Sequence, residues 1–223
     1  MNICMIPVRQ GSVRLKKKNY LKIGKYTVLE IALLKAKKSK VFDEIVINTD
    51  DPDLEDIAFN LDVKFYLRDK NLASSQATSD QVVLDFFHNH PADRVFWVNT
   101  VSPLQTIEDI KQFVNVSLES DWKSGVSTNP VQLHAMFEKE ALNFDWKNGF
   151  ARTQDLKAVN LFNYAMMGWH KEMMEKLSSG QLFDQHTKLI TSSRWSSFLL
   201  KNEEDMQLIK SLYKVAPDQG INF

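Results

Sequence analysis

Short apolar runs alternate with amphipathic stretches through the first 130 residues of the chain. Asn2 to Val8 is a nearly continuous apolar run, the pattern of a strand buried on both faces. Thr27-Val28-Leu29-Glu30 has capping-box spacing and predicts a helix to about Lys38, with Val28, Leu29, Ala32, Leu33 and Ala36 as its buried stripe. Glu44 to Asn48 predicts a second strand. Asp51-Pro52 opens a second helix, with Asp as cap and Pro at the first helical position. Val63 to Leu67 is a third strand, and Ser79 or Asp80 starts a third helix through Phe87. Arg94 to Asn99 is a fourth strand, Thr106 starts a fourth helix, and Gly125 to Thr128 is a fifth strand. The order βαβαβαβαβ predicts an α/β fold with a mostly parallel sheet flanked by helices. Ligands in such sheets bind beyond the carboxyl ends of the strands. The loops after residues 8, 48, 67 and 99 are therefore the places to look for chemistry.

The alternation breaks after about residue 130. Residues 131–165 mix aromatic and polar positions with no clear cap, and read as an inserted arm. The whole chain, 1–223, then reads as one domain. Ala165 to Trp169 has the look of a strand and His170 to Leu177 of a short helix. Lys188 to Thr191 and Ser197 to Leu200 read as short strands. Asn202-Glu203-Glu204-Asp205 has capping-box spacing and opens a last helix to about Lys214. Phe137, Phe144, Trp146 and Phe150 give the arm an aromatic character that suits either internal packing or a dimer interface. The tail from Ala216 to Phe223 carries Pro217 and Gly220 and is expected to be loosely held.

Composition adds limits. At 223 residues and 43% hydrophobic, the chain can bury a sizeable core, and neither a disordered nor a linker-like protein fits. The formal net charge is zero, which argues against a nucleic-acid coat and a membrane-surface protein. That balance conceals an asymmetry. Residues 1–30 carry seven Lys or Arg and a single acid, Glu30, so the remainder is net acidic. One focused anion site remains compatible with it. The lone Cys4 sits in an apolar run and permits no internal disulfide, as in a reducing compartment. No stretch is long enough to span a bilayer. The first eight residues are too short for a signal peptide, and the basic residues follow rather than precede them. A cytoplasmic protein without nucleic-acid or membrane partners is the expectation.

The basic excess is concentrated in the loop after the first strand, from Arg9 to Asn19, which holds Arg9, Arg14, Lys16, Lys17 and Lys18. Gly11 permits a tight turn and close backbone approach. Ser12 and backbone N–H groups are possible donors to phosphate oxygens, and the cations can neutralise a triphosphate. The loop is neither a P-loop nor a dinucleotide fingerprint. On charge alone it is either a solvated basic hairpin or a phosphate site. Its position at the end of the first strand favours the second.

Here a resemblance emerges. Ile6-Pro7-Val8-Arg9, then Ser12, then Lys18-Asn19 resembles the amino-terminal signature of the acylneuraminate cytidylyltransferases, the CMP-sialic acid synthetases and their relatives. Three further segments match in order. Phe42 to Asp50 resembles the family's Phe-Asp-x-Val-Val-Val-Ser-Thr-Asp. Leu67-Arg68, Leu72-Ala73 and Thr78-Ser79 resemble its Leu-Arg-Pro-x-x-Leu-Ala-x-Asp-x-x-x-Ser. Asn99 to Thr106 resembles its Gln-Pro-Thr-Ser-Pro-Leu-Arg. The resemblance implies the Rossmann-like nucleotide-diphospho-sugar transferase fold and transfer of CMP from CTP to a sugar acid, with release of pyrophosphate. It implies that Arg9 and Lys18 are catalytic and hold the triphosphate with Gly11, Ser12, Arg14 and Asn19. Arg68, Ala77, Ser79 and Asn99 would line the nucleotide site, and Asn99, Gln154 and Asn163 the acceptor site. It also implies Mg²⁺, and a homodimer formed through the arm.

The departures from the pattern are as informative as the matches. Val13-Arg14 replaces Lys-Gly, Asn99-Thr100 replaces Gln-Pro, and Ser75 replaces an Asp. The family ends with Asp-Ile-Asp on a strand before the last helix, a pair whose side chains share one face and can share Mg²⁺. Those positions are Leu199 and Lys201 here, so no metal ligand is assigned. Glu203, Glu204 and Asp205 read as the acidic first turn of a helix. Two functions remain open. One is a working cytidylyltransferase with an altered acceptor and a metal held mainly by the triphosphate. The other is a non-catalytic relative that binds a nucleotide or nucleotide-sugar. His88 and His90 read as partners of a helix end rather than metal ligands, and Trp97 as core.

Overall fold

The computed structural model describes residues 1–11, 15, 17–119 and 121–215, with Asn148 described by its backbone alone. Ser12, Arg14 and the 216–223 tail, on which expectations were placed above, lie outside the described residues.

The strands are β1 (Asn2–Pro7), β2 (Lys22–Ile23), β3 (Tyr26–Thr27), β4 (Glu44–Thr49), β5 (Lys64–Leu67), β6 (Arg94–Val98), β7 (Ser124–Val131), β8 (Met136–Phe137), β9 (Glu140–Ala141), β10 (Val159–His170) and β11 (Lys188–Thr191). The helices are α1 (Val28–Ser39), α2 (Glu55–Asn60), α3 (Ser79–Asn89), α4 (Ile107–Val116), α5 (Met174–Ser178) and α6 (Glu203–Val215). Seven strands form the main sheet in the order β11-β7-β10-β6-β1-β4-β5. All run one way except β10, which is antiparallel to both β6 and β7. The mostly parallel α/β sheet expected from the alternation is present.

Local chemistry explains the helix starts. The Thr27 hydroxyl accepts from Glu30 N–H at 3.2 Å, and Glu30 returns the bond to Thr27 N–H at 2.7 Å. Thr106 and Asp109 form the same reciprocal pair at α4. Asn202 and Asp205 do so at α6, so the acidic run there is the helix's first turn, as the spacing predicted. Asp51-Pro52 starts a single 3₁₀ turn, Pro52–Leu54, which runs into α2.

The core lies on both faces of the sheet. Alternate residues of β1 go to opposite sides. Cys4 and Ile6 pack with α1, α2 and α4, whereas Ile3 and Met5 pack with α3 and α5. Burial of Cys4 pushes its thiol far up, which leaves it inert. Gly125 and Gly168 face each other across β7 and β10. A Cβ at Gly168 would stand 3.0 Å from Phe96, and one at Gly125 3.1 Å from Ile190. The rings of Phe113 and Trp122 close over this pair, so glycine is required by packing rather than by backbone conformation. A third cluster seats α6: Met206 and Ile209 pack with Leu15, Ile23, Val28, Ile31, Leu104 and Leu200.

Two expectations need correction. Ser197–Leu200 is not a strand. A 3₁₀ turn covers Arg194–Ser197, and the extended residues beyond it make a single bond to the sheet region, Leu200 N–H to Val101 O at 2.7 Å, without a ladder. The strand expected over Ala165–Trp169 extends back to Val159. Asn160, Leu161 and Phe162 in its first half are all exposed, and pairing with β7 supplies the backbone partners that burial does not reveal.

Candidate active site

The carboxyl ends of β1, β5 and β6 open onto one cavity of about 580 Å³, whereas the loop after β4, expected to join them, contributes no lining residue. Because β10 runs the opposite way, its early residues reach the same place: Met166 pairs with Val98, so Asn163 to Ala165 lie beyond the end of β6. The cavity is lined by Pro7 to Arg9, Lys18 and Asn19, Arg68, residues from Leu72 to Val82, Trp97, Asn99 to Val101, Phe162 to Tyr164, Met167, Leu182 and Leu199 to Lys201. Of the residues singled out in the sequence, Arg9, Lys18, Asn19, Arg68, Ala77, Ser79, Asn99 and Asn163 share this lining. Gln154 does not. It lies exposed in a 3₁₀ turn of the arm, where its carbonyl accepts from Gln132 Nε2 at 2.9 Å. The turn Thr153–Asp155 that carries it belongs to the arm and contributes nothing to the cavity lining. Gly11, at the edge of the described loop, is exposed and outside the lining as well.

Each lining group is held by its own set of bonds. Arg68 follows β5 and is 5% exposed. Its N–H donates to Thr49 O at 2.8 Å, and its Nη1 donates to both the backbone and side-chain oxygens of Asn48 at 3.1 Å. Burial pushes its pKa down, and Asp50 and Asp85 oppose that shift. Its Nε is buried with no hydrogen-bond partner among the described residues, so the guanidinium has a donor in reserve. Arg9 is exposed, and its Nη1 reaches Ser74 O at 3.5 Å. Lys18 and Asn19 sit in a short 3₁₀ turn introduced by Lys17 in the left-handed region, φ 51°. Asn19 is buried and accepts from the Thr100 hydroxyl at 2.9 Å. That bond fastens the basic loop to the end of β6. Thr78 and Ser79 form the amino end of α3, where N–H groups favour an anion.

The wall opposite is built by polar side chains rather than by strand ends. Asn163 is buried. Its Oδ1 accepts from Ser127 Oγ at 2.6 Å and Ala165 N–H at 3.2 Å, and its Nδ2 donates to Ser192 Oγ at 2.7 Å and Ser197 Oγ at 3.3 Å. These bonds hold a bulge in β10 that places Tyr164 at φ 52°. The amide expected to meet an acceptor is thus engaged in shaping the wall. Asn99 is freer. Its Oδ1 accepts from Val101 N–H at 3.2 Å, and its N–H donates to Ala165 O.

Asp109 anchors the segment that carries Leu199 to Lys201. It accepts from Ser193 N–H at 2.8 Å, Ser193 Oγ at 2.6 Å and Ser196 Oγ at 2.7 Å. Burial pushes its carboxyl up, but these bonds and that to Thr106 outweigh it, and the net shift is down. Ser102 Oγ adds a bond to Ser196 O at 2.7 Å. Behind them the buried Lys35 donates to Pro103 O at 2.5 Å, and burial lowers its ammonium to about 7, against the pull of Asp109. Sequence reading missed Asp109, Lys35, Trp97 as lining, and the aromatic pair Phe162 and Tyr164. Only the capping box hinted at Asp109, and capping accounts for one part of its role.

The residues present do not fit a divalent metal. Among the described residues no group of three or more His, Cys, Asp or Glu is placed to hold one, and the described lining contains no carboxylate. Asp205, which follows shortly after Lys201, accepts from Lys201 N–H at 2.8 Å and Asn202 N–H at 3.0 Å.

The comparisons agree with this geometry. A cytidylyltransferase family model matches residues 3–201. The chain is 26% identical over 227 residues to a pseudaminic acid cytidylyltransferase of Campylobacter jejuni, covering 96% of this chain and 97% of that protein. It is 27% identical over 179 residues to an N-acylneuraminate cytidylyltransferase of Streptococcus agalactiae, covering 76% of this chain and 43% of that one. Among solved structures, a CMP:2-keto-3-deoxy-manno-octonic acid synthetase complexed with CTP superposes with a TM-score of 0.68 at 13% identity, over 96% of this chain and 98% of that one. At that identity the likeness is one of fold.

Proposed function

The chain belongs to the cytidylyltransferase family, and from that premise we propose that it transfers CMP from CTP to a sugar acid of the sialic or pseudaminic class and releases pyrophosphate. The observation that carries this reading is the cavity at the carboxyl ends of β1, β5 and β6, with Arg9, Lys18 and Arg68 in one wall and Trp97, Phe162, Tyr164 and Met167 in another. The chemistry is in-line displacement at phosphorus, and the protein's task is positioning and charge stabilisation. Arg9 and Lys18 face the triphosphate, and Asn19 and the amino end of α3 orient it. Asn99 has amide groups to offer the nucleotide or acceptor, and the aromatic wall suits a sugar ring bearing apolar substituents.

Pyrophosphate release from CTP with a panel of nine-carbon sugar acids tests the reading. Release with at least one acceptor is expected. Thermal stabilisation by CTP without release on any acceptor identifies a non-catalytic nucleotide-binding relative instead.

Two finer proposals accompany it. The arm packs partly on itself, with His134 stacked on Phe150 and Phe144 edge-on to Trp146. Phe137, Trp146 and Phe150 nevertheless stay mostly exposed, which supports a homodimer formed through the arm. A monomer by light scattering at high concentration would remove it. Among the described residues no helix is long and apolar enough to cross a membrane. The reduced Cys4 and the use of CTP support a cytoplasmic site of action.

A further inference from the structure

Lys201 has no role in the site as assigned so far, yet it lines the cavity. Its placement follows from three bonds. Leu200 N–H is tied to Val101 O at 2.7 Å, next to Thr100, whose hydroxyl is tied to Asn19 at 2.9 Å. Lys18 and Lys201 are therefore each one residue away from a residue bonded to the same two-residue turn after β6. The Lys201 N–H donates to Asp205, and Leu200 is fully buried. The backbone of Lys201 is held at the mouth of the cavity while its side chain stays exposed to solvent.

The charge inventory of the cavity is one-sided. Arg9, Lys18, Arg68 and Lys201 line it, and among the described residues no Asp or Glu does. A divalent cation brought into such a wall meets like charge and no protein ligand. A polyphosphate meets charge-assisted donors. Arg68 is buried and partly committed to Asn48, which leaves Arg9, Lys18 and Lys201 as the groups with reach.

We propose that Lys201 binds the β- and γ-phosphates of the nucleotide, and that this cavity stabilises the leaving pyrophosphate with its own cations instead of a metal held by carboxylates. The inference rests on the cytidylyltransferase reading. In the transfer, an acceptor hydroxyl oxygen forms a bond to the α-phosphorus while the bond from that phosphorus to the bridging oxygen of the β-phosphate breaks. The leaving pyrophosphate takes the bonding electron pair, and the hydroxyl proton passes to it. Lys201 offsets the charge that gathers on that group, and Arg9 and Lys18 share the work.

Calorimetric titration of CTP and of CMP, in EDTA and in excess Mg²⁺, tests this on the full chain. The wild type is expected to bind CTP in EDTA at least as tightly as in Mg²⁺. Lys201→Gln is expected to weaken CTP binding about tenfold and leave CMP binding unchanged, because CMP lacks the phosphates that Lys201 meets. Lys201→Arg keeps most of the CTP affinity. Lys210→Gln, a charge removal on an exposed face of α6, changes neither ligand's affinity. Tightening of wild-type CTP binding by Mg²⁺ of about tenfold or more overturns the proposal, as does a Lys201→Gln variant with unchanged CTP affinity. In both cases CTP still binds and the family reading stands. Absence of CTP binding under either condition overturns the nucleotide reading itself, and this inference with it.

Discussion

The two walls of the cavity are made by different means. The wall from β1, β5 and β6 follows directly from the alternation of strand and helix. Each strand ends, the chain turns, and the residue one or two positions on points into the same opening, as Arg9, Arg68 and Asn99 do. The wall from β10 and the 193–201 segment has no such rule behind it. There a strand runs against its neighbours, a bulge is held by Asn163, and an irregular segment is fastened by Asp109 and Ser102. A strand-end site tolerates loss of a functional side chain, because its backbone is positioned by the sheet. A network-built wall does not, because the polar groups that shape it are also what keep it folded.

That contrast gives three expectations. The largest effect belongs to Lys18→Ala, which should lower pyrophosphate release by about 10²-fold or more while leaving urea unfolding unchanged. A loss of stability comparable to its loss of activity would break the contrast on the first wall.

Asp109→Asn comes next. One of the two oxygens becomes an N–H facing serine donors that now lack an acceptor, so a loss of about 1–3 kcal/mol in urea unfolding is expected. Nucleotide-induced thermal stabilisation should fall with it, because the segment carrying Leu200 and Lys201 loses its anchor. Full stability with weakened nucleotide binding would show that Asp109 acts on the site alone.

The smallest effect concerns Lys35, whose ammonium burial lowers to about 7. The unfolded chain keeps the proton to a much higher pH, so above pH 7 the unfolded state binds more protons than the folded one. Stability should therefore rise with pH from about 7 to 10, by at most about 1.4 kcal/mol per pH unit from this group. Unfolding of Lys35→Met, measured at several pH values in that window, should lack that slope. An unchanged slope would assign it to other groups.

Much of the first wall was legible because its signals are local. Capping boxes at Thr27 and Thr106 fixed helix starts to within a residue, and apolar runs marked β1, β4, β5 and β6. The basic loop stood out by charge alone. The second wall was not legible in the same way. Ser197–Leu200 reads as a short apolar strand, yet its backbone meets the sheet region only through Leu200 N–H among the described residues, and it stays irregular. Gln154 was assigned to the acceptor site by resemblance alone, and it ends exposed in a 3₁₀ turn of the arm. Asp109 reads locally as the third residue of a cap, and nothing nearby in sequence announces that two serines more than eighty residues later depend on it.

By itself the sequence determined the order of strands and helices, the apolar faces that bury them, and which strand ends would carry cations. Those are short-range properties, set by periodicity, capping and the chemistry of single side chains. Tertiary structure alone decided that β10 turns back against β6, that Asn163 would shape a wall rather than stand ready in it, and that Lys201 would join Lys18 at one turn after β6. These depend on hydrogen bonds between residues distant in the chain, and such bonds leave no period and no spacing to read.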